Sequence, residues 1–72
     1  MQITREFLSS LSFRPFEQND YFGFGGVESP VPLIAETDEF VVIIDGQRCE
    51  VFGETEDGDF REMGYCENIT TL

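Results

Sequence analysis

Seventy-two residues carrying fifteen Asp or Glu, four Arg, no Lys and no His have a formal charge of −11, which argues against nucleic acid or an anionic membrane as a direct partner and favours a cationic one. A chain this short is a single domain that buries only about 60% of its unfolded surface, and its 40% apolar content with eight Phe argues against a disordered acidic tail. No apolar run reaches the roughly 18 residues of a membrane span, and no basic stretch leads into a long apolar one at the N-terminus, so the expectation is a cytoplasmic protein with no membrane partner.

A short amphipathic helix is predicted first, over about residues 4–13. Thr4 is its N-cap, Glu6 meets the positive end of the helix dipole, and Phe7, Leu8 and Leu11 share a face. Pro15 is expected to close it, with Phe13 and Phe16 adding apolar contacts that lay the helix across a sheet. Strands are then predicted over about 20–27, 31–36, 39–44, 47–53 and 59–66. In the first of these, Phe22 and Phe24 alternate with Gly23 and Gly25, leaving one side open to close approach. Gly23-Phe24-Gly25-Gly26 is no dinucleotide loop, because Glu28 stands where a third Gly is required and no helix pattern follows. Pro30 and Pro32 suggest a sheet edge or strand start.

The clearest local signal is Asp45-Gly46 between two apolar runs, read as a type I′ hairpin in which Ile44 faces Gln47, Val42 faces Cys49 and Phe40 faces Val51. These residues form the expected core face. The other face, with Glu39, Val41, Ile43, Arg48, Glu50 and Phe52, is mixed and is read as half covered or as a contact surface for another chain. A further turn at Glu56-Asp57-Gly58-Asp59 leads into the last strand. The expected fold class is α+β, a short N-terminal helix packed on a four- or five-stranded antiparallel meander, with a small open barrel as a variant.

Cys49 and Cys66 allow one disulfide, but without an export signal both are expected to be reduced and structural. Cys49 has Arg48 and Glu50 as neighbours, whose charges oppose each other, so nothing local activates its thiol. Asn68-Ile69-Thr70 has the form of a glycosylation acceptor and carries no weight in a chain that is not exported.

Catalysis is not expected. No His supplies a general base or metal ligand, no Lys supplies imine chemistry, and Ser9, Ser10, Ser12 and Ser29 have no evident activating base. A carboxylate pair for glycoside hydrolysis would need a cleft that so small a chain rarely encloses. Glu54, Glu56, Asp57 and Asp59 surround Gly58 without the EF-hand order, so a solvated turn is read in place of a calcium site. No cofactor or metal is expected.

The acids themselves are the candidate site. Glu36, Asp38 and Glu39 precede the central hairpin, and Glu54, Glu56, Asp57 and Asp59 follow it, both at the end opposite Asp45-Gly46. Residues two apart on a strand are separated by about 6.5 Å, a step in the range of successive phosphates. Carboxylates so placed would compete for the Lys and Arg groups by which a nucleic-acid-binding protein holds its ligand. In size, charge and lack of catalytic groups the chain resembles, by class and not by sequence, the small acidic inhibitors of bacterial viruses: anti-CRISPR proteins, anti-restriction proteins and inhibitors of uracil-DNA glycosylase. Glu28-Ser29 followed by Val31 and Leu33 is similar to the Glu-Ser pair that leads into a strand in the glycosylase inhibitors. Pro30 and Pro32 interrupt that pattern here, and no role is carried to Glu28. The resemblance implies a DNA-mimic inhibitor whose partner is a basic nucleic-acid-binding host protein, acting as a monomer or homodimer. The alternatives are a self-associating structural or accessory domain, with Val41, Ile43 and Phe52 at the contact, and an apolar clamp on a host enzyme such as RNA polymerase, rimmed by acids.

Overall fold

The computed structural model describes residues 1–16 and 32–72. The strand expected over 20–27, with its Phe and Gly alternation, and the Glu28-Ser29 pair lie outside the described residues. The elements in chain order are α1 (Arg5–Ser9), β1 (Arg14–Pro15), β2 (Leu33–Glu36), β3 (Phe40–Asp45), β4 (Arg48–Glu54), β5 (Phe60–Cys66) and a 3-10 turn (Ile69–Thr71). The strands form one antiparallel sheet in the order β1-β2-β3-β4-β5. β1 and β5 are its edges, so the sheet is an open meander and not a closed barrel.

The helix is half the expected length. Thr4 caps it, its Oγ1 accepting the Phe7 N–H at 3.1 Å. It stops at Ser10, whose hydroxyl donates to the Phe7 carbonyl at 2.7 Å. Serines compete in this way for backbone groups and are weak helix formers; Ser9, Ser10 and Ser12 therefore end the helix before Pro15 is reached. Arg14 and Pro15 instead pair with Ile34 and Leu33 as an edge strand, a place that tolerates proline.

Phe13 and Phe16 fall on opposite sides of the sheet. Phe13 joins the face formed by Ile3, Ala35, Val42, Cys49 and Val51, which α1 covers through Phe7 and Leu8, the turn after it through Leu11, and the C-terminal segment through Ile69 and Leu72. Phe7 meets Phe40 edge to face at 6.3 Å, a favoured aromatic geometry. Phe16 packs on the other face against Ile34, Val41, Ile43 and Phe52.

That second face is interior too, which corrects the mixed reading of the hairpin. Val41, Ile43 and Phe52 are 6–8% exposed and Ile34 is fully buried. The physical reason is visible in β3: Phe40-Val41-Val42-Ile43-Ile44 is a continuous apolar run, as expected of a strand covered on both sides. Val41, Ile43 and Phe52, the residues placed at a self-association contact, are thus buried within the folded chain.

The hairpin register differs from expectation by two residues. Ile44 pairs with Cys49, Val42 with Val51, Phe40 with Gly53 and Asp45 with Arg48, which leaves Gly46 and Gln47 as the loop. Gly46 has φ +66, and no residue other than glycine has positive φ among those described. A left-handed first loop residue followed by a right-handed one is the sign pattern of type II′, the Gly-X hairpin, and not of type I′. Asp45 is thereby freed from the loop to pair with Arg48 at 2.7 Å. A shift of two keeps every side chain on its face, so Phe40, Val42, Ile44, Cys49 and Val51 still point into one core.

Candidate partner-binding surface

In an antiparallel meander the β2–β3 and β4–β5 turns lie at one end of the sheet and the Gly46-Gln47 loop at the other. The two acidic clusters are therefore neighbours. Glu39, Glu54, Glu56 and Asp57 line a single open depression of about 640 Å³, together with Phe40, Gly53, Thr55, Arg61 and Met63. Four acidic residues and one arginine thus share the depression with Phe40 and Met63. Asp38 and Asp59 are exposed in the same two turns. Glu36, at the end of β2, pairs with Arg14 on the neighbouring edge strand at 2.7 Å and does not line the depression.

Both turns are built on a threonine. Thr37 Oγ1 accepts the Glu39 and Phe40 N–H groups at 3.2 and 2.9 Å, and the Thr37 N–H donates to the Phe40 carbonyl at 2.8 Å. Thr55 Oγ1 accepts the Asp59 N–H at 3.2 Å, while the Thr55 N–H donates to the Asp59 carbonyl at 2.6 Å and Gly58 N–H to the Thr55 carbonyl at 3.0 Å. Gly58, at φ +84, supplies the left-handed residue that this turn needs. Hydroxyls thus do the capping that Asp side chains often do in turns.

The phosphate-row geometry expected from strand spacing does not hold. Of the seven candidate acids only Glu36 and Glu54 lie in strands; Asp38, Glu39, Glu56, Asp57 and Asp59 sit in turns, where the regular two-residue step does not apply. The arrangement is a crown of carboxylates around a depression and not a linear strip.

The depression itself was not foreseen. β5 carries an irregularity opposite Val51 and Phe52, where Gly64 pairs with Val51 and Glu62 with Phe52, leaving Met63 unpaired as a bulge. The Met63 side chain lies over Gly53, where an added Cβ would stand 3.0 Å from Met63 Cγ and 3.8 Å from the Glu39 carbonyl. The missing side chain at position 53 is what admits Met63 between the two turns. Gly53 inside a strand pattern was the signal available in the sequence.

β5 also concentrates exposed apolar surface. Phe60, Met63 and Tyr65 are 40%, 38% and 52% exposed, and Met1, the other large exposed apolar residue among those described, donates its amino group to the Met63 carbonyl at 2.9 Å. On the second face of β4, Glu50 is held above the ordinary carboxyl range by burial and then by the nearby Glu62 charge, with Arg48 opposing. Burial pushes the Cys49 thiol up to about 11, with Cys66 and Glu50 adding to the shift.

Among the described residues no three His, Cys, Asp or Glu side chains converge as a metal site would require, and no helix is long and apolar enough to cross a membrane. No protein-family model, curated protein or solved structure matches the chain.

Proposed function

We propose that this chain is a non-enzymatic acidic binding protein, a virus-encoded inhibitor that occupies the basic nucleic-acid-binding surface of a host defence or DNA/RNA-processing protein. The observation that carries this reading is the gathering of Glu39, Glu54, Glu56 and Asp57 around one depression, with Asp38 and Asp59 in the same turns. Arginine or lysine side chains entering there meet several carboxylates at once, and their aliphatic stems rest on Phe40 and Met63. The crown geometry favours a plug for a basic groove over a replica of duplex phosphate spacing.

The test is affinity capture from host lysate at low salt with the wild-type chain and with Glu54→Gln, Glu56→Gln, Asp57→Asn and Asp59→Asn combined. The reading requires that the captured protein binds nucleic acid, that duplex DNA displaces it, that its affinity falls steeply with salt, and that the combined variant folds but fails to capture it. Retention by that variant at high salt overturns the reading. Such retention belongs to the second reading, an apolar clamp through Phe60, Met63 and Tyr65 on β5 with the acids as its rim, which their exposure favours.

A further inference from the structure

Cys49 and Cys66 are direct cross-strand partners in the β4–β5 ladder and share one face of the sheet. Both are free thiols in the structure. Opposed residues of an antiparallel pair have Cα atoms about 4.5 or 5.5 Å apart, depending on the type of pair. Both values fall within the span of about 4.4–6.8 Å that a disulfide bridges. From this juxtaposition we infer that Cys49 and Cys66 form a site of reversible oxidation, closing to a cross-strand disulfide by exchange with a low-molecular-weight disulfide.

The two thiols differ in access, which orders the steps. Cys49 is fully buried, whereas Cys66 is half-buried next to the exposed Glu67. The Cys66 thiolate attacks one sulfur of the external disulfide, forming a mixed disulfide and expelling one thiolate. The Cys49 thiolate then attacks Cys66 Sγ and expels the second. Two protein thiols lose two protons and two electrons, and the external disulfide is reduced to two thiols. Cross-strand Cβ atoms stand about 4.5–5.5 Å apart, against about 3.5–4.5 Å in a relaxed disulfide. The bond therefore draws the strands together and carries strain, which places it among readily reduced disulfides.

The loop so closed, 49–66, contains the whole β4–β5 acidic turn and the Met63 bulge. Oxidation would tie the edge strand to the sheet below the candidate surface and restrict that loop in the unfolded chain.

The test needs no variant. The folded protein is incubated with glutathione disulfide, remaining thiols are blocked, and the product is digested with trypsin without reduction. Cleavage after Arg48 and Arg61 puts the two cysteines on separate peptides, 49–61 and 62–72. The expected product is a monomer lighter by two hydrogens whose two peptides run as one linked species until dithiothreitol separates them. Its Tm is expected to rise by roughly 10 °C. A folded protein that stops at the glutathione adduct on Cys66, or that links only between molecules, overturns the inference. Cys49→Ser, which leaves only the accessible thiol, is expected to stop at that adduct, and Cys66→Ser to react slowly or not at all.

Discussion

Replacing Ile43 with Ala tests whether both faces of the sheet are interior. Ile43 sits in the central strand, 6% exposed, packed with Ile34, Val41, Phe52 and Phe16 on the face that composition alone reads as mixed. Truncation removes three carbons, worth about 2.4 kcal/mol at about 0.8 kcal/mol each. The cavity left behind raises the cost to about 3 kcal/mol. Val42→Ala is the internal reference: Val42 is fully buried on the opposite face, opposed by Ala35 and Val51, and losing two carbons there costs about 2 kcal/mol. Urea denaturation followed by far-UV circular dichroism, at one fixed salt concentration, compares the two with the parent chain. In a domain of this size each kcal/mol shifts Tm by roughly 4–8 °C, so both effects are large. If Ile43→Ala falls within about 0.5 kcal/mol of wild type, the range of an ordinary surface change, while Val42→Ala is costly, then the second face is a docking surface and its assignment to the core is wrong.

Three further outcomes follow from the same structure. Self-repulsion at a charge of −11 predicts that Tm rises between low and moderate salt, and a flat series would show that the acids are too well solvated to repel. Glu50 has a folded pKa above its ordinary 4.5 because of burial first and Glu62 second, so the stability linked to this group is fully present below that value and is lost as pH rises through the folded pKa. Glu50→Gln is therefore expected to stabilise at neutral pH by about 0.5 kcal/mol or less, given solvent screening, and to lose that advantage in melts below pH 4.5; equal gains at both pH values would contradict the assignment. Gly46→Ala is expected to cost about 1–2 kcal/mol, because the loop needs φ +66 there, whereas Gln47→Ala should be near neutral by the same urea assay.

The parts of the fold that could be read in advance are those fixed by short-range chemistry. The apolar run Phe40–Ile44, its partner run and an intervening Gly specify the β3–β4 hairpin, and Thr4 specifies the start of the helix. The hairpin register was not legible in the same way. Asp45-Gly46 and Gly46-Gln47 are both acceptable loops, and a slip of two residues keeps the same side chains inward, so the hydrophobic pattern does not choose between them. The observed register adds the Asp45–Arg48 pair and sets Phe40 opposite Gly53, terms that only the assembled strands supply. β1 is two residues long and has no periodicity to detect. The Met63 bulge depends on how β5 meets β4, and the depression depends on that bulge. Sequence reasoning thus brought the two acidic turns to one end of the sheet, through the alternation of turns in a meander, but did not reveal the depression that Glu39, Glu54, Glu56 and Asp57 line with Phe40, Gly53 and Met63.

The crown of carboxylates is separable from the fold that holds it. Two unit charges about 6 Å apart in water repel by only about 0.7 kcal/mol, so solvated turn acids cost little individually. The backbone N–H groups of Glu39 and Asp59 are meanwhile held by the hydroxyls of Thr37 and Thr55. Exchanging the acids for amides should accordingly leave both turns intact, and removing either hydroxyl should not. Thr55 and Gly58 fix the shape of the β4–β5 turn, while Glu56 and Asp57 within it add charge that the turn does not require. An acid cluster that merely shaped its own turn would be expected to hold its N–H groups directly, as Asp does in many tight turns. That division of labour is why the amide variants can report on binding without reporting on folding.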